Sequence, residues 1–198
     1  DLKLILASAS MNEGIFKAVF DDAVTCEIPG AIYPVETCYL PMEKKQKHVQ
    51  EKKITGAQKN RATNRSEFNL SNAVWNAVKY LNERDQGNGD VLVFLPGEKE
   101  IIDTRSYLIE KAGKDIDILV LYGRLPSHQQ ARIFKPGSRR RIILSTNVAE
   151  TSLTVPRVAH VIDTGLARVS RYSVTRKLQQ LPVEKISRDK AEQRLGRC

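Results

Sequence analysis

The sequence has 198 residues, 41% hydrophobic and 28% charged, which is enough apolar material for one well-buried domain and excludes wholesale disorder. Thirty-two Lys and Arg against 23 Asp and Glu give a formal net charge of +9, which favours polyanions such as nucleic acid, although a solvated lysine-rich surface has the same composition. Three widely spaced cysteines without a Cys-x-x-Cys pair argue against a disulfide framework or zinc site, and no apolar run reaches membrane-span length, so a cytoplasmic protein off the membrane is expected.

In chain order, Leu2 to Ala7 reads as a short buried strand, followed by an amphipathic stretch with Ile15, Phe16, Val19 and Phe20. Val24 to Ile28 and Val35 to Leu40 are further strand candidates, divided by Pro29-Gly30 and Pro34. Residues 43–66 are crowded with Lys and Arg and have few apolar side chains, which suits a solvated insertion better than a dedicated RNA arm. Leu70, Ala73, Val74, Ala77, Val78 and Leu81 recur at helical spacing, and the segment from Gln86 to Asp90 ends that helix with turn residues.

Regular alternation follows. Strands are expected at Val91 to Leu95, Ile116 to Tyr122, Arg141 to Ser145 and Val158 to Ile162. Helices are expected from Glu98 to Ala112, with Ile101, Ile102, Leu108 and Ile109 on one face, and from Ser127 to about Phe134, stopped by Pro136-Gly137. Apolar strands alternating with helices predict an α/β fold with a parallel sheet covered on both faces. Ligands of such sheets are met by loops at the carboxyl ends of the strands. Arg168 to Tyr172 and Lys177 to Leu181 suit a hairpin, and Ser187 suits a helix start.

Four strings carry possible chemistry. Ser145 to Val155, STNVAETSLTV, places Thr146 and Asn147 after an apolar strand at a helix start, where free N–H groups favour a phosphate. An ordinary N-cap uses the same residues, and Glu150 could brace the turn internally. Gln193 and Arg197 lie four apart beside Gly196, so an amide and a guanidinium could share one helix face, as could any solvated basic helix. The turn at Pro96-Gly97 could touch a nucleic-acid backbone or be purely structural. Arg139-Arg140-Arg141 is most simply a solvated strand edge, with phosphate binding as the sharper option. Phe134 has the character of a core residue and would act by stacking only if exposed. His48, His128 and His160 suit structural roles. No G-x-x-x-x-G-K-[ST] phosphate loop and no D-E-x-H string occurs.

Taken in order, these strings resemble the DEAH-box ATP-dependent RNA helicases of superfamily 2, in their bacterial branch. Ser8-Ala9-Ser10 resembles the motif closing the first motor domain, with Ser10 for the usual Thr, and IPGAIYPVETCYL resembles the entry into the second, with Ala31 for the usual Arg. VLVFLPGEKEI resembles motif IV, with Pro96 for a common Thr; LYGRLPSHQQARIFKP, RRRIILSTNVAETSLTV, VIDTG and QRLGR follow in family order. Pro156 stands where the family commonly has an acidic residue, and the second finger arginine of the last motif would lie beyond Cys198.

The resemblance implies a RecA-like, P-loop NTPase-type second motor domain over 24–198, preceded at 1–23 by the end of the first motor domain and a linker. It implies that Phe134 stacks on the nucleotide base, Thr154 lines its phosphate-ribose side, Gln193 positions the attacking water and Arg197 is an arginine finger. Gly97, Thr146 and Asn147 would hold the backbone of single-stranded RNA or DNA, and the hairpin after Arg168 would separate strands. ATP or another NTP with Mg²⁺ would be held mainly by the first RecA-like domain, leaving this fragment inactive alone. A non-catalytic nucleic-acid-binding domain and a DNA-directed helicase of the same superfamily are the competing expectations.

Overall fold

The computed structural model describes residues 4–7, 13–20, 24–26, 34–41, 70–85, 88–113, 115–135, 137–151, 153–173 and 177–198. The basic insertion at 43–66 and the Ser8-Ala9-Ser10 string lie outside these residues.

A four-stranded, wholly parallel sheet forms the centre. Its strands are β1 (Asp90–Phe94), β2 (Ile116–Leu121), β3 (Arg140–Ser145) and β4 (Val158–Asp163), in the order β2-β3-β1-β4. The two central strands, β1 and β3, are the most deeply buried, as strands covered on both faces are. Val91 and Val93 of β1 join Ile142 and Leu144 of β3 in one core cluster, while Leu92, Phe94 and Ile143 point into a second on the opposite face.

The first face is covered by α2 (Leu70–Asp85) and α3 (Glu98–Ala112). Val74, Ala77 and Val78 are buried along one stripe of α2, as the spacing predicts. In α3 the buried positions are Ile101, Thr104 and Leu108; Ile102 and Ile109 stand about half exposed, so the inward face differs from the expected one. Thr104 is accommodated because its hydroxyl pairs with Ser71 Oγ at 3.1 Å. Glu98 and Glu100 in the first turn and Lys111 in the last complement the helix dipole, and Gly113, at φ 69°, ends the helix.

The second face is covered by shorter pieces. These are α4 (Ser127–Gln130), a 3₁₀ turn at Ala131–Phe134, α5 (Val148–Thr151) and α6 (Arg188–Leu195). Ile133, Ala149 and Val155 fill its core. After β4 the chain makes two antiparallel pairs: β5 (Leu166–Arg168) with β8 (Val183–Lys185), and the expected hairpin of β6 (Arg171–Ser173) with β7 (Leu178–Gln180). Ser187 caps α6 by accepting a hydrogen bond from the Lys190 amide at 3.4 Å.

Three expected strands do not form among the described residues. Leu4 to Ala7 is exposed and unpaired, and Val24 to Cys26 and Val35 to Leu40 carry no strand. An apolar run becomes a strand only where another edge receives its hydrogen bonds, and none of the four sheet strands pairs with these runs. A fourth stretch, α1 (Glu13–Lys17), is helical, with Ile15 exposed.

Candidate functional site

The carboxyl ends of all four strands are laced together beyond the ladder itself. The Leu95 amide donates to the Ser145 carbonyl at 2.8 Å, the Thr146 amide to the Leu121 carbonyl at 3.2 Å, and the Thr164 hydroxyl to the Phe94 carbonyl at 2.8 Å. These bonds set the Pro96-Gly97 turn, the Thr146-Asn147 turn and the Asp163-Thr164-Gly165 turn along one edge. They also spend the Thr146 N–H on the sheet, so it is not one of the free amides expected at that helix start. Asn147 is exposed, and its carbonyl receives the Glu150 amide at 3.0 Å.

Glu150 is buried and braces this turn against α6, the internal role open to it in the sequence. Its Oε2 accepts from Arg194 Nε at 3.0 Å, and its main-chain carbonyl accepts from Arg197 Nε at 2.9 Å and from Arg197 Nη2. Arg194, only 1% exposed, also donates through Nη1 to Asp163 Oδ1 at 2.6 Å and lies 4.7 Å over the Phe94 ring. Asp163 in turn accepts from the Gly165 amide at 2.8 Å. One guanidinium therefore ties α5, α6 and the ends of β1 and β4. Arg194 sits between Gln193 and Arg197 in the sequence, yet it was not among the expected site residues. A buried arginine is legible only when its carboxylate partners, 44 and 31 residues away, are brought to it.

Gln193 is half-buried on α6, but Arg197 lies two residues past the helix end at Leu195, its amide bonded to the Arg194 carbonyl at 3.1 Å. The pair is thus not carried on one continuous helix, as its four-residue spacing suggests. Gly97 is buried under the Arg168 side chain, whose Nη2 meets Glu100 at 3.0 Å.

Phe134 lies in the segment leading into β3 and Thr154 in the segment leading into β4. Phe134 is 43% exposed, the condition set for a stacking role, and Thr154 is exposed. Their segments are joined through Arg141, which bonds the carbonyls of Ile133, Lys135 and Pro156 and corrects the reading of Arg139-Arg140-Arg141 as a solvated edge. Arg139 alone is well exposed, with its side chain 56% accessible; Arg140 is half-buried beside Asn82 and Asp85, and Arg141 is 2% exposed. Arg141 meets buried Asp90 through Nε at 2.8 Å and through its own amide at 2.9 Å. Burial of a charge this deep is sustainable only with such pairing. His160 likewise has a structural partner in Asp85, and His128 is exposed on α4, while His48 lies outside the described residues.

Among the described residues, no group of three or more His, Cys, Asp or Glu is placed to hold a metal ion, and no helix is long and apolar enough to cross a membrane.

A family model described as the helicase conserved C-terminal domain matches residues 73–198. The chain is 42% identical over its full length to the ATP-dependent RNA helicase HrpA of Escherichia coli K12, and 42% identical to the HrpA homolog of Haemophilus influenzae; it covers 14% of each. Among solved structures it resembles the Escherichia coli DEAH/RHA helicase HrpB, with a TM-score of 0.73 and 29% identity over 96% of this chain and 22% of that one. With its RecA-like α/β fold, the chain belongs to the helicase conserved C-terminal domain family.

Proposed function

We propose that this chain is the second motor domain of an ATP-dependent RNA helicase of the DEAH type, working as half of a composite site. In this reading Arg197 is the arginine finger, Gln193 orients the attacking water, and Phe134 and Thr154 meet the base and the phosphate-ribose side of the nucleotide. Thr146, Asn147 and the Gly97 turn meet the RNA backbone. Backbone contacts of this kind hold single strands with little sequence preference. Mg²⁺-ATP is held mainly by the partner motor domain.

The observation that carries the reading is the double role of Glu150. A single short turn presents Asn147 outward while its Glu150 carbonyl holds the Arg197 guanidinium. A group meant for nucleic acid and one meant for a phosphoryl oxygen thus sit on one rigid connection, as a motor that links RNA binding to hydrolysis needs. An arginine finger places positive charge where the transition state is most negative, and can be worth roughly 10³–10⁵ in rate.

The test uses the full-length protein. Arg197→Ala is expected to keep most ATP affinity and to lose turnover by a factor of that order. Unchanged turnover would sink the finger assignment. The chain alone is expected to hydrolyse no ATP and to bind single-stranded RNA weakly with strong salt dependence.

A further inference from the structure

Arg141 uses its whole side chain on four partners. Beyond Asp90, Nη1 donates to the Ile133 carbonyl at 2.7 Å and to the Lys135 carbonyl at 3.0 Å, and Nη2 donates to the Pro156 carbonyl at 3.0 Å. The two carbonyls on Nη1 flank Phe134 on either side in the chain. The carbonyl on Nη2 lies two residues beyond Thr154. Asp90 fixes the guanidinium itself through Nε and Nη2.

Little else holds the Phe134 segment. The 3₁₀ turn is four residues long, its last amide bond, from Lys135 to the Arg132 carbonyl, is 3.3 Å, and only Ile133 anchors it in the core. A 3₁₀ turn of this length has poor hydrogen-bond geometry and little stability of its own. From outside, Arg157 Nη1 donates to the Gly137 carbonyl at 2.6 Å on the following connection.

We propose that Arg141 is a positioning residue for nucleotide binding: it sets the spacing between the Phe134 ring and the Thr154 turn, so that both meet one nucleotide. The proposal rests on the reading that Phe134 contacts the base. Arg141 touches no nucleotide itself. Its planar fork reaches two segments at once, which a lysine ammonium on a single stem cannot reproduce even while it still pairs with Asp90. An aromatic ring that must be ordered before it can stack binds less tightly than one already in place.

The experiment measures steady-state ATP hydrolysis by the full-length protein at saturating RNA, with Arg141→Lys, Phe134→Ala and the double variant. Loss of nucleotide positioning raises KM and leaves kcat nearly unchanged, since the contact is made equally in the ground and transition states. Partial unfolding does the reverse, lowering kcat in proportion to the folded fraction with KM constant. We expect Arg141→Lys and Phe134→Ala each to raise KM ~10-fold, and the double variant to add little to Phe134→Ala, because coupled sites are not additive. Should Arg141→Lys fail to fold, Arg157→Ala, at a side chain 47% exposed, loosens the same connection and is expected to raise KM about 2–3-fold.

An unchanged KM in Arg141→Lys, or in Arg157→Ala where it is the variant that folds, overturns the proposal while a raised KM in Phe134→Ala leaves the base contact standing. An unchanged KM in Phe134→Ala overturns the base contact and this proposal with it.

Discussion

Arg194 Nε donates to Glu150 Oε2 at 3.0 Å, with the two side chains only 1% and 6% accessible. Desolvation of such a pair costs nearly what the attraction returns, so its presence says little about net stability. Removing one partner is different, because it leaves a charge buried alone. Arg194→Met strands Glu150 and also frees Asp163, and is expected to cost about 3–5 kcal/mol. Denaturant unfolding of the full-length protein, followed by a probe in this domain, measures it. A loss below about 1 kcal/mol would show that the network is a by-product of packing.

A second stability prediction concerns Gly89, just before β1. Its φ is +71°, and a Cβ placed there would stand 2.3 Å from Ala159 Cβ on the neighbouring strand. Gly89→Ala therefore meets a backbone cost and a clash, and is expected to destabilise by more than about 1 kcal/mol. Adding Ala159→Gly removes the clash and leaves the backbone cost. Partial recovery in the double variant separates the two, and full recovery would contradict the backbone part.

These two positions show what the sequence makes legible. The order of strands and helices from Val91 to Ile162 reads correctly because short apolar runs alternate with longer helix-spaced segments, although the inward face of α3 does not, and the parallel sheet follows from that order. The hairpin of β6 and β7 and the Ser187 cap are equally local. Arg141 and Arg194 resist such reading, because an arginine looks solvated until distant carboxylates close around it. Thr146 fails for a related reason: its residue type suits an N-cap, but the Leu121 carbonyl of a strand 25 residues earlier takes its amide. The stretches before residue 42 fail in the opposite sense, since apolar pattern alone supplies no strand edge to pair with.

The surface pair of Arg171 and Glu184 joins the two antiparallel pairs. Nε and Nη2 of Arg171 meet the two carboxylate oxygens at 2.7 Å each, and these hydrogen bonds hold the Glu184 carboxyl below the ordinary glutamate range. A depressed folded-state value means the contribution is present above the ordinary carboxylate pKa and is lost as pH falls through the folded one. Side-chain carbonyl NMR of Glu184 is expected to give a midpoint below that of an exposed glutamate. In Arg171→Ala it should return to the ordinary value; a midpoint that stays low would assign the effect elsewhere.

The last prediction turns on Gly97. A Cβ there would stand 2.4 Å from Arg168 Nε, 2.9 Å from Arg168 Cδ and 2.8 Å from Glu100 Oε2. Its φ of −166° is extended backbone that any residue adopts, so Gly97→Ala carries no strain and acts by pushing Arg168 off the turn. The Arg168–Glu100 pair is partly exposed and contributes roughly 0.2–1 kcal/mol, so stability should barely change. RNA binding should respond more. With Arg168 laid across this turn, a phosphate approaching Gly97 meets its guanidinium first, and displacing that charge removes one phosphate contact. Gly97→Ala and Arg168→Ala in the full-length protein are each expected to flatten the slope of log affinity against log salt by about 0.7 for a single strand. An unflattened slope together with unchanged affinity in both variants would remove this turn from the RNA path. A weakened affinity in Gly97→Ala alone, with the slope intact, would assign the contact to the Gly97 backbone amide and leave Arg168 as a strap over it.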